Sequence, residues 1–163
     1  GRVAAARTVG EIVTRGGGTG MSGYWGQPEE TARTLRAGWV HSGDLGVQDE
    51  AGYVTLAGRK KHLIIRGGEN VYPAEVEAVL LQAPGVREGV VLGLPDERWG
   101  EIVVAVVAPD RPDPDPAEIV AHCRTRLASY KCPERVVFRE ALPYNAAGKV
   151  MRHVLQHELL RAG

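Results

Sequence analysis

Four side chains that carry or can take up a positive charge stand in a row, Arg59, Lys60, Lys61 and His62, ahead of the apolar run Leu63-Ile64-Ile65. A basic cluster of this kind can meet nucleic acid, but this one is short, isolated and free of interleaved aromatics, so a solvated cationic edge is the plainer reading. Asp44 follows Gly43 in Trp39-Val-His-Ser-Gly-Asp-Leu45. A carboxylate there can close an Asx-type turn, or it can accept hydrogen bonds from two vicinal hydroxyls, as a nucleotide ribose offers. Gly67-Gly68 then supplies a turn without Cβ atoms, which lets backbone approach a ligand closely. Lys149, taken alone, is a surface lysine ahead of a helix. His41, His122, His153 and His157 are scattered and show no base–nucleophile spacing. Gly16-Gly-Gly-Thr-Gly20 lacks the Lys-Ser/Thr that a phosphate-binding loop places after its glycines, and reads as a mobile loop.

These residues must be positioned by elements that the hydrophobic pattern makes visible. Glu11 to Arg15 alternates like a short strand, and Gln27 to about Leu35 reads as a short helix ended by Ala37-Gly38. Trp39 to Leu45 reads as a strand running into a turn at Gly43. Glu50 to Tyr53 is a hairpin turn, with Tyr53 to Leu56 pairing back. Leu63-Ile64-Ile65 is expected as a buried strand. A helix opens at Pro73, with Val76, Val79, Leu80 and Ala83 as its stripe, and Pro84-Gly85 stops it. The apolar runs Val86–Leu94 and Ile102–Ala108 predict central strands of one sheet. Asp115 caps a helix expected to reach Ser129, Val136-Val137-Phe138 is a last strand, Leu142 to Lys149 a loop, and Val150 to Leu160 a closing helix.

Composition sets the outer bounds. At 163 residues and 44% hydrophobic content the chain can bury one ordinary core, with a smaller appendage. Twenty basic and twenty acidic residues cancel, so no whole-molecule field favours nucleic acid or an anionic membrane. No apolar run approaches the roughly 18 residues of a membrane span, and no signal-peptide core opens the chain. A cytoplasmic protein is the expectation. The two cysteines, Cys123 and Cys132, have no CxxC spacing and no histidine at metal-site distance, so free thiols and no metal site are expected. The start at Gly1, without an initiator Met, reads as a cut edge.

In this order the motifs resemble the C-terminal part of the AMP-forming, adenylate-forming superfamily, which includes acyl-CoA synthetases, aryl-CoA ligases, luciferases and peptide-synthetase adenylation domains. The matching blocks are Gly38-Trp-Val-His-Ser-Gly-Asp44, Gly58-Arg-Lys-Lys61, Gly67-Gly-Glu-Asn-Val-Tyr-Pro-Ala-Glu-Val-Glu77 and Pro143-Tyr-Asn-Ala-Ala-Gly-Lys149, with Ser129-Tyr-Lys-Cys-Pro133 a weaker fifth. The resemblance implies an α+β fold: residues 1–58 as the β-rich end of a large adenylation domain, and 59–163 as a small mobile domain with a mixed β-sheet flanked by helices. It implies an enzyme that joins a carboxylic acid, a fatty acid above all, to ATP as acyl-adenylate and passes the acyl group to coenzyme A. Asp44 would hold the ribose hydroxyls and Arg59 the nucleotide near ribose and phosphate. Lys61 would be the hinge, and Lys149 the catalytic lysine bridging carboxylate and α-phosphate. Gly67, Gly68 and Glu69 would line the path of coenzyme A, with Trp99 and Tyr130 against its adenine.

The sequence departs from the pattern in places. Ile65 and Gly67 stand where coumarate ligases and luciferases carry lysines, and Cys132 and Glu134 where some aryl-CoA ligases put Arg and Lys. The phosphate loop, the ligands of the expected Mg2+ and the acyl pocket all belong to a large N-terminal domain that is missing here, so the chain alone is expected to be inactive. Two alternatives stay open: delivery of the acyl group to a carrier-protein thiol, and a free-standing module that binds without catalysis.

Overall fold

The computed structural model describes residues 3–15 and 20–162. They form two compact units that divide between Lys61 and His62. The glycine loop expected at 16–20 lies outside the described residues except for Gly20.

The first unit comprises β1 (Val9–Arg15), the helix α1 (Pro28–Thr34), β2 (Leu35–Arg36), β3 (Trp39–Gln48) and β4 (Val54–Arg59). β3 is its spine: β1 pairs antiparallel along one edge, while β2 and β4 pair antiparallel along the other. Leu35 leaves the helix for the short β2, because Ala37 and Gly38 both take positive φ (50° and 80°) and close a two-residue turn into β3. The strand expected to stop at Gly43 runs on to Gln48. What the glycine marks is a bulge within it. The register shifts between Glu11↔Leu45 and Val13↔His41, so that Ser42, Gly43 and Asp44 oppose Ile12 alone, with Gly43 at φ 72°.

The second unit comprises β5 (Ile64–Arg66), β6 (Glu69–Val71), α2 (Pro73–Leu80), β7 (Val86–Asp96), β8 (Gly100–Pro109), α3 (Pro116–Arg124), β9 (Arg135–Phe138) and α4 (Arg152–Ala162). Its sheet is mixed. β8 lies at the centre, paired antiparallel with β7 along one edge; on the other it meets β5 at Gly100 and then β9, which runs parallel to it. The apolar runs of β7 and β8 are continuous because both sheet faces are covered. Val91, Val103, Ala105 and Val107 pack with Val76, Leu80 and Ile119 of α2 and α3. Their neighbours Val90, Leu92, Val104 and Val106 pack on the other face with Leu155 and Leu159 of α4.

Several boundaries move. Leu63-Ile64-Ile65 alternates rather than burying as a block: Ile64 is enclosed while Ile65 is half exposed. Gly67-Gly68 leads into a further strand, β6, before α2 begins. α2 ends at Leu80, with Gln82 and Ala83 in following turns, and α3 ends at Arg124, five residues short of Ser129. Thr125 turns its hydroxyl back to donate to the His122 carbonyl, and Ala128 is extended. α4 starts two residues late because Val150 bridges back to Tyr144.

Candidate active site

In the first unit the bulge brings Asp44 directly opposite Arg59 of β4. Arg59 Nε stands 2.6 Å from Asp44 Oδ1, and its Nη1 donates to the Ser42 carbonyl at 3.4 Å. Ser42 stiffens the corner from inside: its hydroxyl donates to the Ile12 carbonyl at 2.7 Å and accepts the Asp44 N–H at 3.0 Å. Asp44 is thus a half-buried carboxylate on the central strand with a guanidinium beside it, suited to polar hydroxyls and to phosphate together. The rest of the cationic row is split. Lys60 donates to Glu11 at 3.2 Å, where His41 Nδ1 also stands at 3.1 Å. Burial raises the Glu11 carboxyl, but those two partners outweigh it and hold the group below its usual range. Lys61 lies exposed on the 3-10 turn Lys60–His62, at the end of the unit.

In the second unit the residues expected along the coenzyme path gather at one corner. Gly67 (φ 59°) and Gly68 (φ 86°) form the two-residue turn between β5 and β6, with Glu69 exposed opposite Arg66. The β7–β8 hairpin aims Trp99 at this turn. Asp96 Oδ1 accepts the N–H groups of Arg98 and Trp99 at 2.9 and 2.8 Å, and Gly100 takes φ 78° to re-enter the ladder. The Gly67 N–H donates to the Trp99 carbonyl at 2.7 Å. Two guanidinium groups flank the indole: Arg98 lies 4.6 Å and Arg66 5.8 Å from its centroid. Arg66 also pairs with Glu134 and donates to the Tyr130 carbonyl at 3.3 Å, which joins Tyr130 to the same corner. The turn carrying Tyr130 is tied to α2 by Lys131, whose Nζ donates to both Glu75 oxygens at 2.6 and 2.8 Å; this bond raises the lysine's pKa. Arg66, Arg98 and Glu134 lie outside the motif blocks of the sequence. A charged residue directly before a Gly-Gly turn was the available signal for Arg66.

Lys149 ends a closed loop. Asn145 Oδ1 accepts the N–H groups of Ala147 and Lys149 at 3.0 and 2.9 Å, and the Asn145 N–H donates to the Lys149 carbonyl at 2.9 Å. Gly148 at φ 72° completes the turn, and the Met151 N–H donates to the Pro143 carbonyl at 2.8 Å. The lysine side chain projects exposed from this frame. No role is expected of Asn145 from the sequence, although Asn three positions before a Gly-Lys pair is an Asx-turn signal. Among the described residues no group of three or more His, Cys, Asp or Glu side chains could hold a metal ion, and no helix is long and apolar enough to cross a membrane.

Residues 75–149 match the family model of the AMP-binding enzyme C-terminal domain. The chain is 48% identical over 135 residues to the long-chain-fatty-acid–CoA ligase FadD13 of Mycobacterium tuberculosis, an alignment covering 83% of this chain and 27% of that protein. It is 50% identical over 137 residues to the fatty acid–[acyl-carrier-protein] ligase ScoC of Streptomyces coeruleorubidus, covering 83% of this chain and 26% of the relative. The crystal structure of ATP-bound MatB from Rhodopseudomonas palustris superposes with a TM-score of 0.87 at 39% identity, over 95% of this chain and 31% of that one. The chain therefore spans roughly a third or less of the length of these relatives.

Proposed function

The chain belongs to the AMP-binding, adenylate-forming enzymes, whose C-terminal domain it carries, and on that premise we propose that it is the carboxyl-terminal part of an acid–thiol ligase. In the first half-reaction a carboxylate oxygen attacks the α-phosphorus of ATP and pyrophosphate leaves. In the second, a thiol attacks the acyl carbonyl and AMP leaves. Lys149 serves the first. Two anions must meet there, and a cation placed between them lowers the barrier where negative charge accumulates. The observation that carries this role is the Asn145-closed loop, which fixes the backbone of Lys149 while leaving its ammonium in the open.

Asp44 takes the ribose hydroxyls, with Arg59 beside it for the phosphate side of the nucleotide; their 2.6 Å pairing supports a shared ligand. Gly67, Gly68 and Glu69 line the approach of coenzyme A, and Trp99 and Tyr130 meet its adenine. The packing of Trp99 on the glycine turn and beside Arg66, which also donates to the Tyr130 carbonyl, supports this reading; the Tyr130 side chain itself packs against the core. The division between the units immediately after Lys61 supports a pivot there. The first unit is read as the end of a large adenylation domain and the second as a small mobile one; the boundary expected between 58 and 59 falls three residues later, after Lys61, because Arg59 of β4 still pairs with Asp44. Magnesium would accompany ATP, but the described residues offer no cluster that fits it.

By analogy with FadD13, a long-chain-fatty-acid–CoA ligase, the acceptor is read as coenzyme A and the acid as a fatty acid. The name of ScoC favours a second reading, a carrier-protein thiol. The test uses the whole enzyme that carries this domain. Lys149→Ala is expected to abolish pyrophosphate exchange while a supplied acyl-adenylate is still converted to thioester. This chain alone, given ATP, a fatty acid and coenzyme A, should form no thioester. Equal loss of both half-reactions in the variant would overturn the assignment.

A further inference from the structure

Building on the role proposed for Lys149, we propose that Glu77 and Arg152 are positioning residues that aim the Lys149 loop. Arg152 opens α4, where a cation faces the positive end of the helix dipole. Glu77 lies in the last turn of α2, where a carboxylate faces the negative end. Each charge is badly placed on its own helix, and each answers the other: Arg152 Nη2 stands 2.7 Å from Glu77 Oε1 and 2.9 Å from Oε2. Both side chains are largely enclosed, at 23% and 16% exposure.

The pair also grips the sheet. Arg152 Nη1 donates to the Val91 carbonyl at 2.6 Å, and Glu77 Oε1 accepts the Val91 N–H at 2.7 Å. β7 ends the strand order of its sheet, so the backbone groups of Val91 that turn away from β8 have no strand to pair with. The ion pair closes them.

The place of this staple in the chain makes it a pointer. Arg152 follows Lys149 by three residues. The Asn145 hydrogen bonds fix the loop's own shape; its direction relative to the sheet is set by the segments that enter and leave it. The exit, Met151 to Arg152, is held by the Glu77–Val91 grip. The entry is held separately, by Leu142 buried in the core beside α4 and by Tyr144 Oη donating to Glu88 Oε2 at 2.7 Å, also on β7. Releasing the exit should swing the ammonium without removing it, and a misplacement of about 1 Å costs up to about 100-fold in rate.

The whole enzyme is assayed by half-reaction, with Lys149→Ala alongside. Arg152→Met and Glu77→Gln should lower the turnover of pyrophosphate exchange by about 10- to 100-fold, leave conversion of supplied acyl-adenylate within about threefold, and leave the KM for ATP little changed. Arg152→Lys, which keeps the charge and one bond, should recover most of the loss. If Arg152→Met fails to fold, Glu77→Gln and Arg152→Lys decide. A normal first half-reaction in these variants, while Lys149→Ala abolishes it, would overturn this inference alone; so would equal loss in both half-reactions. A silent Lys149→Ala would sink the parent reading, and this one with it.

Discussion

A methyl group added at Gly67 would stand 3.1 Å from Trp99 Cε3, whereas one added at Gly68 would meet nothing within 4 Å. Both residues hold positive φ, so either substitution by alanine carries a backbone cost of about 1 kcal/mol. Only Gly67→Ala must also displace the indole that Arg66 and Arg98 flank. We therefore expect Gly68→Ala to lower stability by about 1 kcal/mol with unchanged tryptophan emission, and Gly67→Ala to cost more and to shift that emission. Denaturant titration read by fluorescence checks both, and identical behaviour of the two variants would contradict the close packing of Trp99 on the turn. For function the consequence is directional. Gly67 shapes the aromatic wall of the corner, and Gly68 keeps its open side open.

At the level of elements, α3 buries Cys123 against β9 and the sheet, and burial, with a smaller push from Cys132, raises its thiol pKa to about 11. A folded-state pKa above the ordinary value means the neutral thiol is favoured by folding. Its contribution is complete below about pH 9 and is lost as pH climbs toward 11, on the order of 2 kcal/mol. Unfolding free energies measured across that window should fall for the native chain and fall less steeply for Cys123→Ala; parallel slopes would refute the coupling. The helix itself was legible from its Asp115 cap and its stripe of Ile119 and Cys123, as were β7 and β8 from their unbroken apolar runs. The continuation of β3 past Gly43 was not, because a bulge and a turn present the same glycine to a reader of sequence. Nor was β6, whose three residues include the exposed Glu69 and Asn70. Of the site, Lys149, Asp44 and the glycine pair could be singled out by motif. The Arg152–Glu77 grip could not, since its partners lie 75 positions apart and nothing local announces the pairing.

Across the whole molecule the two units differ in self-sufficiency. Among the described residues Leu45 is the only buried hydrophobic side chain of the first unit, while Trp25, Tyr53, Val54 and Leu56 are largely exposed. The second unit covers both faces of its sheet. Such a contrast supports reading the first unit as the margin of a larger body that would cover it, and the second as a body that keeps its own core while it moves. On the proposed reading Lys61 would be the last residue of the anchored part, where a change of backbone angles would reorient the mobile domain between the two half-reactions. Lys61→Pro fixes φ near −65°, a value that suits the 3-10 turn observed there and bars most others. In the whole enzyme we expect the burst of pyrophosphate release to stay within about threefold, while thioester formation falls by about tenfold or more, and Lys61→Ala leaves both near normal. Rapid-quench measurement of the two products separates these outcomes. A proline variant slowed equally in both steps, or in neither, would mean that the pivot lies elsewhere and that Lys61 is only a solvated lysine on a 3-10 turn.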